Sequence, residues 1–325
     1  MANARDEILE WTRQGHISPH QLRTALETAG ALPDGTRWRN FFDRLLLTLG
    51  AVMLGAGVIF FFAFNWQDLG RFTKFALVQG PILVGLAFIW RLGLDRPAGK
   101  AALLTVTLLT GALLALVGQT YQTGADTFEL FAAWAAAILP WALVARFPLL
   151  WIVWVALVNV AMVLYVATVG QVWGVMFYEN EVLWMLFAFN TAALAVWEAL
   201  AAAGLTWLRE RWAARLLAVA GGWMATYLAV NAIFEHRSVS YWGFIGWLAW
   251  MVVAYVIYRR RVKDVFVLAG GVLSLIFVVA ALLGKALRFS DAGAFLLTGL
   301  VVIAMSAAGG WWLRQIAQED TEETT

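Results

Sequence analysis

The chain contains no cysteine and only three histidines, His16, His20 and His236. Disulfides, thiolate nucleophiles and cysteine metal sites are therefore excluded. No histidine pair has ligand spacing inside an apolar block, so a metalloenzyme is not expected. Charge is also scarce. Only 14% of the 325 residues are Asp, Glu, Lys or Arg, against roughly 25% in a soluble domain. The formal net charge of +2 gives no reason to expect a nucleic-acid partner. No phosphate loop, dinucleotide fingerprint, nucleophile elbow or paired-histidine motif is visible, which argues against an ATPase or a familiar hydrolase. No cofactor is expected.

Apolar residues fill the space that charge leaves. They make up 62% of the chain and come in blocks of about 17 to 23, the length that crosses a hydrocarbon core of ~30 Å. Ten blocks are recognisable: 45–64, 74–91, 101–118, 128–145, 149–169, 182–204, 214–234, 241–258, 265–284 and 292–313. The expected fold is all-α: a polytopic transmembrane helical bundle of about ten spans, preceded by a short soluble helical hairpin. Three regions follow. They are an N-terminal hairpin (1–44), the bundle (45–313) and an acidic tail (314–325), the tail being expected to lack structure. The polar start also predicts that no cleavable signal peptide opens the chain.

In the hairpin, residues 5–14 read as an amphipathic helix carrying Ile8, Leu9 and Trp11, with Gly15 placed to end it. Ser18-Pro19-His20-Gln21 reads as the start of a second helix, with Ser18 as N-cap, Pro19 at the first helical position and Gln21 completing a capping box. Gly30 closes that helix. Through Arg44 the segment carries six Arg against three Asp and three Glu. It lacks the basic surface that a DNA-reading helix-turn-helix needs.

Loop charge predicts the threading. On the side of the N-terminus lie eighteen basic residues, among them Arg91, Arg96, Arg146, Arg209, Arg211 and the run Arg259-Arg260-Arg261. The other side holds five: Arg71, Lys74, Arg237, Lys285 and Arg288. Both termini are therefore expected in the cytoplasm. Trp66, Trp90, Trp151, Trp173, Trp207, Trp212, Trp311 and Trp312 fall near predicted span ends, where aromatic rings favour the headgroup level.

A few polar residues stand out. One external segment follows the first block and contains Asn65, Trp66 and Asp68; a second follows the third block and contains Gln119, Tyr121, Gln122 and Asp126. Their amides, hydroxyls and carboxylates could line a wet pocket, and the acids could take a cation or a proton. The plainer expectation is that they cap helix ends. Within the membrane, Asn159 and Asn190 fall near the middle of the fifth and sixth blocks, where amides bond between helices or contact a substrate. Glu198 is the one acid well inside a block and is a candidate for proton or cation coupling. Gly50, Gly55, Gly57, Gly85, Gly111, Gly221 and Gly222 suit close helix packing.

Three stretches carry a resemblance: Trp11, Gly15, Ile17 and Ser18; the run from Gly55 through Ala63-Phe64-Asn65-Trp66 to Lys74; and Gly118-Gln119-Thr120-Tyr121-Gln122 with Ala125-Asp126, Leu130, Trp134 and Pro140-Trp141. Over roughly residues 5–165 the chain resembles the bacterial predicted-membrane-protein family called domain-of-unknown-function family 2157. The resemblance implies a multi-spanning bacterial membrane protein with a short cytoplasmic N-terminal domain; the inner membrane is the expected location. It transfers no catalytic residue.

Three classes of function follow, in order of preference. The first is a non-enzymatic membrane protein that binds lipid or other membrane proteins. The second is a secondary transporter or permease for a small polar solute. The third is a membrane-embedded enzyme acting on envelope substrates. The lipid bilayer is the one partner expected throughout, and no small-molecule ligand is identified.

Overall fold

Lipid offers no hydrogen bonds, so each apolar run must satisfy its own backbone, and a helix does that within one segment. The computed structural model describes residues 4–18, 20–30, 35–64, 70–173, 179–234, 241–287 and 292–322. Among them the chain is all-helical. Two short helices, α1 (Ala4–Arg13) and α2 (Leu22–Thr28), come first. There follow α3 (Gly35–Phe64), α4 (Arg71–Leu92), α5 (Pro97–Tyr121), α6 (Thr127–Ala145) and α7 (Pro148–Trp173). Then come α8 (Glu179–Ala202), α9 (Arg211–Phe234), α10 (Tyr241–Val256), α11 (Val265–Leu287) and α12 (Ala292–Glu322). A π-helical turn, Ile257–Arg261, extends α10. Ten helices among the described residues are long and apolar enough to cross a membrane.

Three boundaries differ from the sequence expectation. The second short helix begins at Leu22, and the Gln21 N–H closes a turn on the Ser18 carbonyl at 2.9 Å before it; Pro19, expected at the first helical position, lies outside the described residues. The Ser18 hydroxyl donates to the Gln21 side chain at 3.1 Å and does not cap the backbone. Gly15 and Gly30 both take left-handed backbone, φ +80° and +69°, the conformation that ends a helix. The first spanning helix starts at Gly35, so residues 35–44 are its opening turns. Trp38 and Phe42 stack on that stretch, ring centroids 5.6 Å apart. The acidic tail is helical through Glu322. Glu319 pairs there with Arg259, which gives the last turns a reason to stay wound.

The chain forms two compact units. One comprises Gly35–Val182 and Ala199–Ala213. Within it α5 is the hub and packs on α3, α4 and α6, while α6 packs on α7. Leu103, Leu109, Ile138 and Leu150 are fully buried. Glycines bring these helices close. A Cβ at Gly85 would stand 2.5 Å from Val106, and one at Gly111 would stand 2.5 Å from the Trp134 ring. Trp134 then donates its indole N–H to the Thr107 carbonyl at 2.8 Å. By contrast, Gly50 and Gly57 face open space.

The other unit comprises Met1–Asp34, Leu183–Glu198 and Ala214–Thr325. Its core joins Ala225, Ala229 and Ile233 of α9 to Trp247 and Trp250 of α10 and Val278 of α11, with Phe187 of α8 against them. The same glycine–tryptophan packing recurs: a Cβ at Gly222 would meet Trp250 at 2.9 Å, and one at Gly246 would meet Trp184 at 2.6 Å. Several of the tryptophans are thus packing elements at mid-helix. Others are exposed, Trp90 near the end of α4 and Trp311 within α12. Long exposed rows of Leu, Val and Phe on α4, α11 and α12 would be an aggregation hazard in water. In a bilayer they are the lipid-facing surface.

Candidate functional site

The two polar segments after the first and third apolar blocks come first. Asn65, Trp66 and Asp68 lie outside the described residues. Gln119, Tyr121, Gln122 and Asp126 are all exposed. Gln122 takes left-handed backbone (φ +46°) where α5 ends, and its N–H returns to the Gly118 carbonyl. Tyr121 lies beside Phe75, with ring centroids 6.2 Å apart. Asp126 is the N-cap of α6, and its backbone N–H donates to the Glu129 carboxylate at 3.1 Å, an arm of a capping box. The second segment therefore serves to end one helix and start the next.

The intramembrane amides sit in different units. Each bonds its own helix. Asn159 Nδ2 donates to the Val155 carbonyl and Asn190 Nδ2 to the Leu186 carbonyl, both at 2.8 Å. Asn190 is buried, and Asn159 is half-buried. Glu198 accepts a 2.9 Å hydrogen bond from the hydroxyl of Tyr258. That tyrosine belongs to the π-turn after α10 and is buried, a helical irregularity that is frequent at functional positions.

Next to this contact lies an ion pair that the sequence reading did not single out. Arg215, in the second turn of α9, donates its Nε to both oxygens of Asp264, at 3.2 and 3.1 Å. The Asp264 side chain is almost completely buried, whereas that of Arg215 is 42% exposed. Asp264 also caps α11: its Oδ1 accepts the Phe266 N–H at 3.1 Å. The guanidinium carbon stands 5.5 Å over the Phe266 ring, a cation–π distance. Signals for the pair were present. Arg215 is a cation inside an apolar block, and Asp264 directly precedes another, which is an N-cap position.

Below Arg215 a groove opens between α9 and α11, with a cavity volume of about 350 Å³. Val219, Gly222, Trp223, Phe266, Gly270 and Phe277 are among its lining residues. The polar atoms at its floor belong to Thr226 and Ser274, and they are already engaged. The Trp247 indole N–H donates to Ser274 Oγ at 2.8 Å, the two hydroxyls lie 2.6 Å apart, and Thr226 Oγ1 bonds the Gly222 carbonyl at 2.6 Å. Each hydroxyl proton and the indole proton has an acceptor in this chain. Those two hydroxyls therefore keep no spare proton for a polar solute, and apart from them and the indole N–H groups of Trp223 and Trp250 the lining is apolar.

Residues 9–151 match the family model for predicted membrane proteins, DUF2157. The match covers less than half of the chain. It spans α1 to the first turn of α7 and contains the three stretches on which the resemblance was read. No curated protein and no solved structure matches the chain. Glu198, Arg215, Tyr258, Asp264 and the groove all lie beyond the matched residues.

Proposed function

We propose that this protein is a non-enzymatic multi-pass membrane protein that binds lipid and seats an acyl chain in the groove between α9 and α11. The supporting observation is the self-satisfied hydroxyl chain at the groove floor. A mostly apolar wall of Val, Phe, Trp and Gly around that chain favours hydrocarbon over a polar solute. The excess of basic residues on the N-terminal side supports placing both termini in the cytoplasm and the protein in a bacterial inner membrane.

The test is photo-crosslinking of the full-length protein with a phosphatidylcholine carrying a diazirine in its acyl chain. Labelling is expected to concentrate on peptides spanning 215–226 and 266–277. Gly270 has open space where a Cβ would stand, so Gly270→Leu should fill the groove without a backbone clash and suppress that labelling. Uniform labelling of all lipid-facing helices, unchanged by Gly270→Leu, would refute the reading.

A further inference from the structure

We infer that the bound lipid is an anionic phospholipid whose phosphate is held by the outward edge of the Arg215 guanidinium. This rests on the reading of the groove as an acyl seat and adds the headgroup. Three observations converge. Phe266 lines the groove and lies beneath the Arg215 guanidinium, so the cation stands where a chain seated in the groove would end. Only Nε of Arg215 is engaged, on Asp264; the two terminal nitrogens have no partner among the described residues, and the side chain is well exposed. Asp264, in turn, is buried, and its oxygens take up Arg215 Nε and the Phe266 N–H. It orients the guanidinium from behind and offers little of its own charge to an incoming anion.

The chemistry suits a phosphate diester. A guanidinium presents paired N–H groups that match two phosphate oxygens, and holding one edge on a carboxylate preorganises the other. The connection leading into Asp264 carries Arg260, Arg261 and Lys263, all exposed, which raises the local density of anionic lipid. Near a membrane surface, each basic residue strengthens attraction to anionic lipid by about fivefold.

The decisive variant is Arg215→Lys. A single ammonium can still pair with Asp264, so no buried carboxylate is orphaned, but the planar second edge is gone. Purified full-length protein in detergent would be titrated with phosphatidylglycerol and with phosphatidylcholine of the same acyl chains, and retained lipid counted by native mass spectrometry. The wild-type protein should retain phosphatidylglycerol about fivefold better. Arg215→Lys should narrow that preference by about twofold or more, because the ammonium and the flanking basic residues keep their charge while the planar edge that clasps the phosphate is gone. The charge-free pair Arg215→Gln with Asp264→Asn should do the same, and it covers the case in which the lysine variant folds poorly. An undiminished preference in both variants overturns the inference, as does a preference lost only in Arg260→Gln with Arg261→Gln. Equal retention of both lipids by the wild type, blocked by Gly270→Leu, would leave the acyl seat standing and remove the headgroup claim. Retention of neither lipid would remove both.

Discussion

Tyr258 and Glu198, sixty positions apart, meet through a 2.9 Å hydrogen bond in which the phenol donates to the carboxylate. The contact ties the end of α8 to the π-turn after α10. Tyr258 is buried, so its hydroxyl cannot turn to water. Tyr258→Phe should lower stability by about 0.5–1.5 kcal/mol, read as a lower unfolding midpoint in detergent. Glu198→Gln keeps an acceptor for the phenol and should cost less than Tyr258→Phe. The reverse order would mean that the carboxylate charge carries the contact.

Asp264 combines two jobs, an ion pair and a helix cap. Asp264→Ala removes both and should destabilise by about 2 kcal/mol. Asp264→Asn retains a cap acceptor and should recover roughly half of that loss. Thermal unfolding of the two variants side by side checks the split.

Two glycines that look alike in sequence should behave in opposite ways. At Gly111 a methyl would collide with the Trp134 ring, whereas at Gly50 it meets nothing within 4 Å. Gly111→Ala should cost about 1–3 kcal/mol through overpacking. Gly50→Ala should be neutral, or stabilise by up to about 1 kcal/mol through helix propensity. A similar loss at both sites would contradict the packing described for α5 and α6.

The polar segment after α5 gives a contrast of the same kind. Asp126→Ala should cost about 1 kcal/mol, because α6 loses its N-cap. Gln119→Ala, at an exposed position, should stay within about 0.5 kcal/mol of wild type. If Gln119→Ala and Tyr121→Ala instead leave stability untouched but alter lipid retention or growth, that segment has a binding role beyond capping.

Threading is testable by reporter fusions along the loops. Fusions after residues 146 and 262 should report the cytoplasmic side, and a fusion in the loop after Leu287 should report the external side. External activity after residue 262 would overturn the orientation.

Much of the architecture follows from composition alone. Apolar blocks long enough to span a bilayer must be helical, because no other single segment satisfies its backbone there. All ten expected blocks appear as helices, with most ends within a few residues of expectation. The larger differences have local causes. The start of α3 extends into a polar stretch, because nothing in residues 35–44 breaks a helix. The winding of the tail depends on Glu319, which finds Arg259 sixty residues away. The polar residues that looked out of place were read by their position along the chain. Position shows that Asp126 stands before an apolar block, and the cap follows from that. It cannot show that Arg215 meets Asp264, that Tyr258 meets Glu198, or that Thr226 and Ser274 satisfy each other beside a groove. Those pairs join residues 48 to 60 positions apart. They depend on which helices lie side by side, and near-uniform apolar faces do not encode that choice. The sequence alone determined a multi-pass helical membrane protein. Only the tertiary structure decided where its buried polar groups are satisfied, and so which surface is left for a ligand.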